Sequence, residues 1–222
     1  MWLFRKSAKE DKKGSGLRAG SMVEFGRYPQ GPGGEIRPIQ WLVLALEDNC
    51  ALMLSCRCLD AVHYNDPPHR INWPTCTLRT WLNETFFTAA FNEEEQAAVI
   101  PSFVCRETST PGFGTTGEDC TEDKVFLLSK KEVNDYCRTP EVRASGATAY
   151  ASSKAAWQNN SSGYNWYKLR SYHSAANETQ WMDVVGNDGE FTAFTGDSRM
   201  PDPSSTLVRP AVRVNIRALQ NA

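Results

Sequence analysis

The chain predicts an α+β fold of short antiparallel sheets, a few short helices and long loops, and three observations carry that expectation. Apolar runs of strand length occupy residues 39–46 and 51–56, with Glu47-Asp48-Asn49 between them as a hairpin turn. Short helical segments, two of them with recognisable caps, follow these strands. Beyond Trp157 the texture changes to Asn, Ser, Gly, Thr, Asp and aromatic residues, with strand-like pieces at 167–172, 181–185 and 190–194.

Taken in order, residues 1–20 read as a flexible basic tail and residues 21–222 as one domain. The tail carries Arg5, Lys6, Lys9, Lys12, Lys13 and Arg18 against Glu10 and Asp11, and its Gly, Ser and charge content leaves little to bury. A strand at 22–25 is closed by Gly26, and Gln30-Gly31-Pro32-Gly33-Gly34 is a loop. The hairpin pair 39–46 and 51–56 forms the centre of a sheet. A helix over 78–86 brings Leu78, Trp81, Leu82 and Phe86 to one face. Asn92, with Glu95 three positions on, opens a second helix to Val99, and Ser129 with Glu132 opens another to about Cys137. Between them, 106–123 reads as a long surface loop and 125–128 as a buried strand. A further helix falls at 148–157. Gly186-Asn187-Asp188-Gly189 is a hairpin turn. In the closing strand at 208–216, Val212, Val214 and Ile216 alternate with Arg213, Asn215 and Arg217.

The net charge of −2 hides an uneven distribution, because a basic tail leaves a mildly acidic body. That body excludes general nucleic-acid binding, which needs a basic footprint. No apolar run reaches the ~18 residues of a membrane span. Met1-Trp2-Leu3-Phe4 is too short for a signal-peptide core, so a cytoplasmic location is expected. Seven cysteines without an export signal fit reduced, buried thiols. Cys56 and Cys58 lack a second pair, and His63, His69 and His173 are not at zinc spacing. Asp183, Asp188, Asp197 and Asp202 raise calcium, but no EF-hand spacing is present, and neither a metal nor a cofactor is expected. No phosphate loop, dinucleotide fingerprint or nucleophile elbow occurs, so no catalytic residue is assigned. A thiol-dependent enzyme using Cys56 or Cys58 with His63, and an assembly domain, stand as alternatives to a binding role.

The binding role rests on residues 158–183. Tyr and Trp give contact area at small entropic cost, and Asn and Ser give adaptable hydrogen bonds. Asn159, Tyr164, Asn165, Tyr167, Tyr172, His173, Asn177 and Trp181 are the expected ligand residues, facing a protein or glycan partner. The same residue types also serve short strands and long loops that bind nothing. Arg170 and Arg209, embedded in strand-like segments, are expected to tie the structure together through carboxylates or carbonyls.

Several short motifs then carry a resemblance. Phe25-Gly26-Arg27-Tyr28-Pro29, Pro38-Ile39-Gln40-Trp41, Leu78-Arg79-Thr80-Trp81-Leu82-Asn83, Leu169-Arg170-Ser171 after an aromatic, and Val208-Arg209-Pro210-Ala211 occur in order. Together they resemble a bacterial domain family of unknown function over about residues 22–217. That family is similar to the C-type-lectin-like fold of formylglycine-generating enzymes and to the variable proteins of diversity-generating retroelements. The resemblance implies a lectin-like scaffold with a display surface at 158–183. It does not carry over formylglycine-generating activity, because no cysteine follows Cys137.

Overall fold

The computed structural model describes residues 16–65, 72–105, 107, 120–155, 163–174, 180–195 and 206–220. The expected tail lies outside these up to residue 15. Its last five residues do not: Leu17 packs against the core, and the Gly20 amide donates to Val43 O at 2.8 Å. The described chain therefore begins before Ser21.

Strands β1 (Met22–Pro29), β2 (Ile36–Glu47) and β3 (Cys50–Ser55) form an antiparallel meander. β10 (Ala211–Asn215) and the short β6 (Val125–Phe126) complete a five-stranded sheet in the order β1-β2-β3-β10-β6. β3 lies at its centre, as expected. Ala51 to Leu54 are all buried, so this strand reads as a continuous apolar run and not as an alternation. Asp48 takes a positive φ of 53° in the β2–β3 turn, a conformation Asp tolerates better than most residues.

β1 runs through Gly26 where the sequence suggested a stop. A bulge falls between Glu24 and Arg27, and Gly26 absorbs it at φ 70°. A Cβ there would lie 2.6 Å from the Phe91 ring, so the position needs glycine for both its backbone and its neighbour. Phe25, Trp41, Phe86, Phe87 and Phe91 build an aromatic cluster beside it, with centroids 5.1–6.4 Å apart. Trp41 and Trp73 are fully buried, so part of the tryptophan content is core.

The helix expected at 78–86 is α1 (Thr77–Trp81), a π-helical turn (Leu82–Phe86) and α2 (Phe87–Ala90). Asn83 sits in the π turn and spends its carboxamide on the entry to β6. It accepts from the Lys124 and Val125 amides and donates to Arg79 O and Val125 O. Both capping boxes form as read: Asn92 with Glu95 at α3 (Glu93–Ala98), and Ser129 with Glu132 at α4 (Lys130–Tyr136). α5 (Pro140–Arg143) was not anticipated, and α6 (Ala149–Lys154) begins at a Thr148 cap.

The loop expected over 106–123 is shorter than that. β4 (Ser102–Cys105) and β5 (Cys120–Asp123) pair as a two-stranded ribbon. Their register sets Cys105 opposite Cys120, and the two form a disulfide. This corrects the expectation of seven reduced thiols: Cys50, Cys56, Cys58, Cys76 and Cys137 are free. β7 (Tyr167–Ser174), β8 (Gln180–Val185) and β9 (Phe191–Thr195) form a three-stranded antiparallel sheet with the expected turn at 186–189. The closing strand ends sooner than expected, because Ile216 begins α7 (Ile216–Gln220). Side chains from all three sheets meet in one hydrophobic cluster.

Candidate functional site

β7 is the frame on which the expected ligand residues hang. On one side it pairs with β8, through a bulge between Lys168 and Tyr172. On the other side, alternate amides reach three separate segments: Lys168 donates to Leu207 O, Arg170 to Leu128 O and Tyr172 to Glu107 O, at 3.0–3.1 Å. No regular strand covers that edge among the described residues, but its donors are satisfied all the same.

Two buried arginines fasten this frame. Arg170 donates Nε to Cys105 O at 2.9 Å and Nη1 to Leu127 O at 2.9 Å. Its guanidinium also grips both carboxylate oxygens of Glu132 and reaches Glu107 Oε1 at 3.2 Å. Glu132 is the capping-box residue of α4, so one carboxylate caps a helix and neutralises a buried cation. Among the described residues Arg209 has neutral partners: Ser55 O, Arg143 O and the Tyr167 hydroxyl oxygen, at 2.9, 2.9 and 3.2 Å. Its guanidinium also faces the Tyr167 ring at 5.1 Å. It thereby links β3, α5 and β7.

Tyr167 is consequently a pillar and not a ligand residue. It is 1% exposed and its hydroxyl donates to Arg143 O at 2.9 Å. Burial pushes its pKa up to about 12, against the opposing pull of Arg209. Asn165 is half-buried, and its backbone and carboxamide are committed inward: the amide donates to Ser145 O, and Oδ1 accepts from the Ala147 amide at 3.0 Å. Tyr164 is 44% exposed and Tyr172 half-buried, which leaves these two rings accessible. They stand eight residues apart on nearly extended chain, roughly 25 Å at the usual rise per residue, so they belong to opposite ends of the frame. His173 and Trp181 pair across β7 and β8 through their backbones, and their side chains lie outside the described residues. Asn159 and Asn177 lie outside them altogether.

The Tyr164 end gathers groups outside the expected set of ligand residues. Trp166 is half-buried and its indole N–H donates to Asn187 Oδ1 at 2.9 Å, which joins the chain before β7 to the β8–β9 turn. That turn is tight. Gly189 has φ 80°, and a Cβ there would lie 1.9 Å from Pro140 O. Arg143 donates Nε to Gly189 O at 2.7 Å, lies 3.6 Å from Glu190 and stacks over Phe191 at 4.7 Å. Lys130 approaches the same ring at 5.3 Å. Trp166, Asn187, Glu190 and Phe191 are thus held at this turn, with the exposed Tyr164 two residues before Trp166. The 186–189 turn was legible. Its closeness to Trp166 was not, because 21 residues separate the two partners.

The thiols do not resemble an activated pair. Burial raises Cys58 to about 11 and also raises Cys56, with Arg209 only partly opposing in each case. A nucleophilic thiol needs the opposite shift. Among the described residues, no group of three or more His, Cys, Asp or Glu side chains is arranged to hold a metal ion. No helix among them is long and apolar enough to cross a membrane.

An α+β scaffold of this kind, with a polar aromatic surface on a frame of buried arginines, is the class that fold and site define. The family described as Domain of unknown function (DUF6273) matches residues 43–216, and the chain belongs to it. Expected membership of an uncharacterised family is thereby met. β1 and the first part of β2 precede the matched region. No curated protein and no solved structure matches the chain.

Proposed function

We propose that the protein is a non-enzymatic recognition module with a C-type-lectin-like scaffold, which binds a protein or glycan through the Tyr164 end of β7. The observation that carries this reading is the pairing of an exposed Tyr164 with a half-exposed Trp166 whose indole is hydrogen-bonded to the Asn187 turn. Rings presented in a preset orientation bind at low entropic cost. The family-like motifs support the same division of labour. Leu169, Arg170 and Ser171 are buried, and the Ser171 hydroxyl accepts from the Lys130 amide at 2.9 Å. Val208, Arg209, Pro210 and Ala211 are buried as well. Such motifs hold a frame and leave the intervening segments free to differ between copies.

Retroelement diversification of 158–183 is the finer form of this proposal. A glycan and protein array probed with the full chain is the direct test. A hit retained by Tyr172→Ala and lost by Tyr164→Ala with Trp166→Ala supports the Tyr164 end. Equal binding by both variants removes it. For diversification, many copies of the gene from one population are sequenced. Substitutions concentrated in 158–183 support it, and an even spread along the chain sinks it.

A further inference from the structure

We propose that the Cys105–Cys120 disulfide is a reducible staple that controls order at the Tyr172 end of β7. β4 and β5 form a ribbon of two strands that, among the described residues, is joined to neither of the other sheets by strand pairing. Such a ribbon is marginal without further support. At its Asp123 end the support is extensive. Buried Asp123 accepts from Trp73 Nε1 at 2.8 Å, Arg79 Nε at 2.6 Å and Thr121 Oγ1 at 2.9 Å. At the other end the register closes on Cys105 opposite Cys120, and the cross-link bridges a separation of 15 residues.

The chain leaving that end is what β7 uses for cover. Arg170 Nε donates to Cys105 O, its Nη2 reaches Glu107 Oε1, and the Tyr172 amide donates to Glu107 O at 3.0 Å. The staple thus fixes the strand end from which both acceptors are presented. Both of its cysteines are only half-buried, as Cys50 and Cys56 are, whereas Cys58, Cys76 and Cys137 are buried. An external dithiol can therefore reduce it. A thiolate of the reductant attacks one sulfur and expels the other cysteine. The reductant's second thiol then resolves the mixed disulfide. Two protein thiols and one oxidised dithiol result, with two electrons transferred. The loop constraint disappears, and opening of this end becomes easier while the rest of the core stays closed. The device is independent of what the Tyr164 surface binds.

The test compares amide hydrogen exchange of the full chain before and after dithiothreitol, with alkylation and mass spectrometry confirming that two further cysteines have become reactive. Exchange at Tyr172 is expected to quicken at least tenfold, with the amides of β3 and β10 unchanged. The Cys105→Ser, Cys120→Ser double variant should exchange like the reduced protein without any reductant. Three results overturn the proposal. Tyr172 could exchange at the same rate after complete reduction. All strands could quicken equally, which would make the disulfide a general stabiliser. Cys105 and Cys120 could alkylate readily in untreated protein, which would mean no staple exists.

Discussion

The five-stranded sheet and the three-stranded sheet share one core but are held by different physics. In the first, β1, β2 and β3 follow one another along the chain before β10 and β6 join them, and the central strand is buried apolar sequence, so removal of hydrocarbon from water dominates. In the second, the frame strand β7 carries Lys168, Arg170 and Ser171, all buried. Its edge is covered by Leu207, Leu128 and Glu107 from three distant segments. Polar composition in this protein therefore has two meanings. It marks surface at Tyr164 and Asn187, and it marks internal fastening at Arg170, Arg209 and Tyr167.

That contrast can be broken most sharply at the arginines. Arg170→Met is expected to cost about 3–5 kcal/mol, because it strands Glu132 and the Leu127 and Cys105 carbonyls. Arg170→Lys should recover little of this, since an ammonium cannot reproduce the forked grip. Leu54→Ala in β3 should cost about 2–5 kcal/mol by cavity formation alone. Urea titrations monitored by tryptophan fluorescence rank the three. If Arg170→Met were as mild as a surface change, the fastening account would fail.

The two close-packed glycines sharpen the comparison at the next level. Gly26→Ala presses a methyl group to 2.6 Å from the Phe91 ring and 2.7 Å from the Ala90 carbonyl oxygen, whereas Gly189→Ala meets the Pro140 carbonyl oxygen at 1.9 Å. Both also force a side chain to adopt positive φ. Each should cost about 1–3 kcal/mol, with Gly189→Ala the larger, as read from shifts in thermal midpoint. The reverse order would mean that the β8–β9 turn yields more easily than its contacts with α5 suggest.

Alkaline pH separates the regions more gently. Tyr167 is raised to about 12 from 10.0, and Cys58 to about 11 from 9.0, each mainly by burial. Both groups keep their protons longer in the folded protein than in the unfolded chain. Their contribution is therefore complete below the ordinary pKa values and is lost as pH rises through the folded ones. Stability should fall from pH 9 upward, by up to about 1.4 kcal/mol per pH unit for each group. Tyr167→Phe should flatten the part of the slope above pH 10, and an unchanged slope would contradict the burial of this phenol. The smallest effect is expected at Tyr164→Ser, which should move stability by less than about 0.5 kcal/mol. A larger loss would show that the ring is structural and not a binding group.

What could be read along the chain was local. The capping boxes at Asn92 and Ser129, the β2–β3 hairpin and the Gly186-Asn187-Asp188-Gly189 turn each depend on residues within a few positions of one another, and side-chain chemistry alone specifies them. Arg170 and Arg209 also stood out in the sequence, because a guanidinium among apolar residues must find acceptors. Tertiary structure decided the rest. The β4–β5 pairing and its disulfide, the inward turn of Tyr167 and the joining of Trp166 to Asn187 all depend on where distant segments meet. An Asn, Tyr or Trp satisfies its polar atoms equally well with water or with a remote carbonyl, so composition cannot tell the two apart. Only the packed chain supplies the partner that makes one of them buried and leaves the other at the surface.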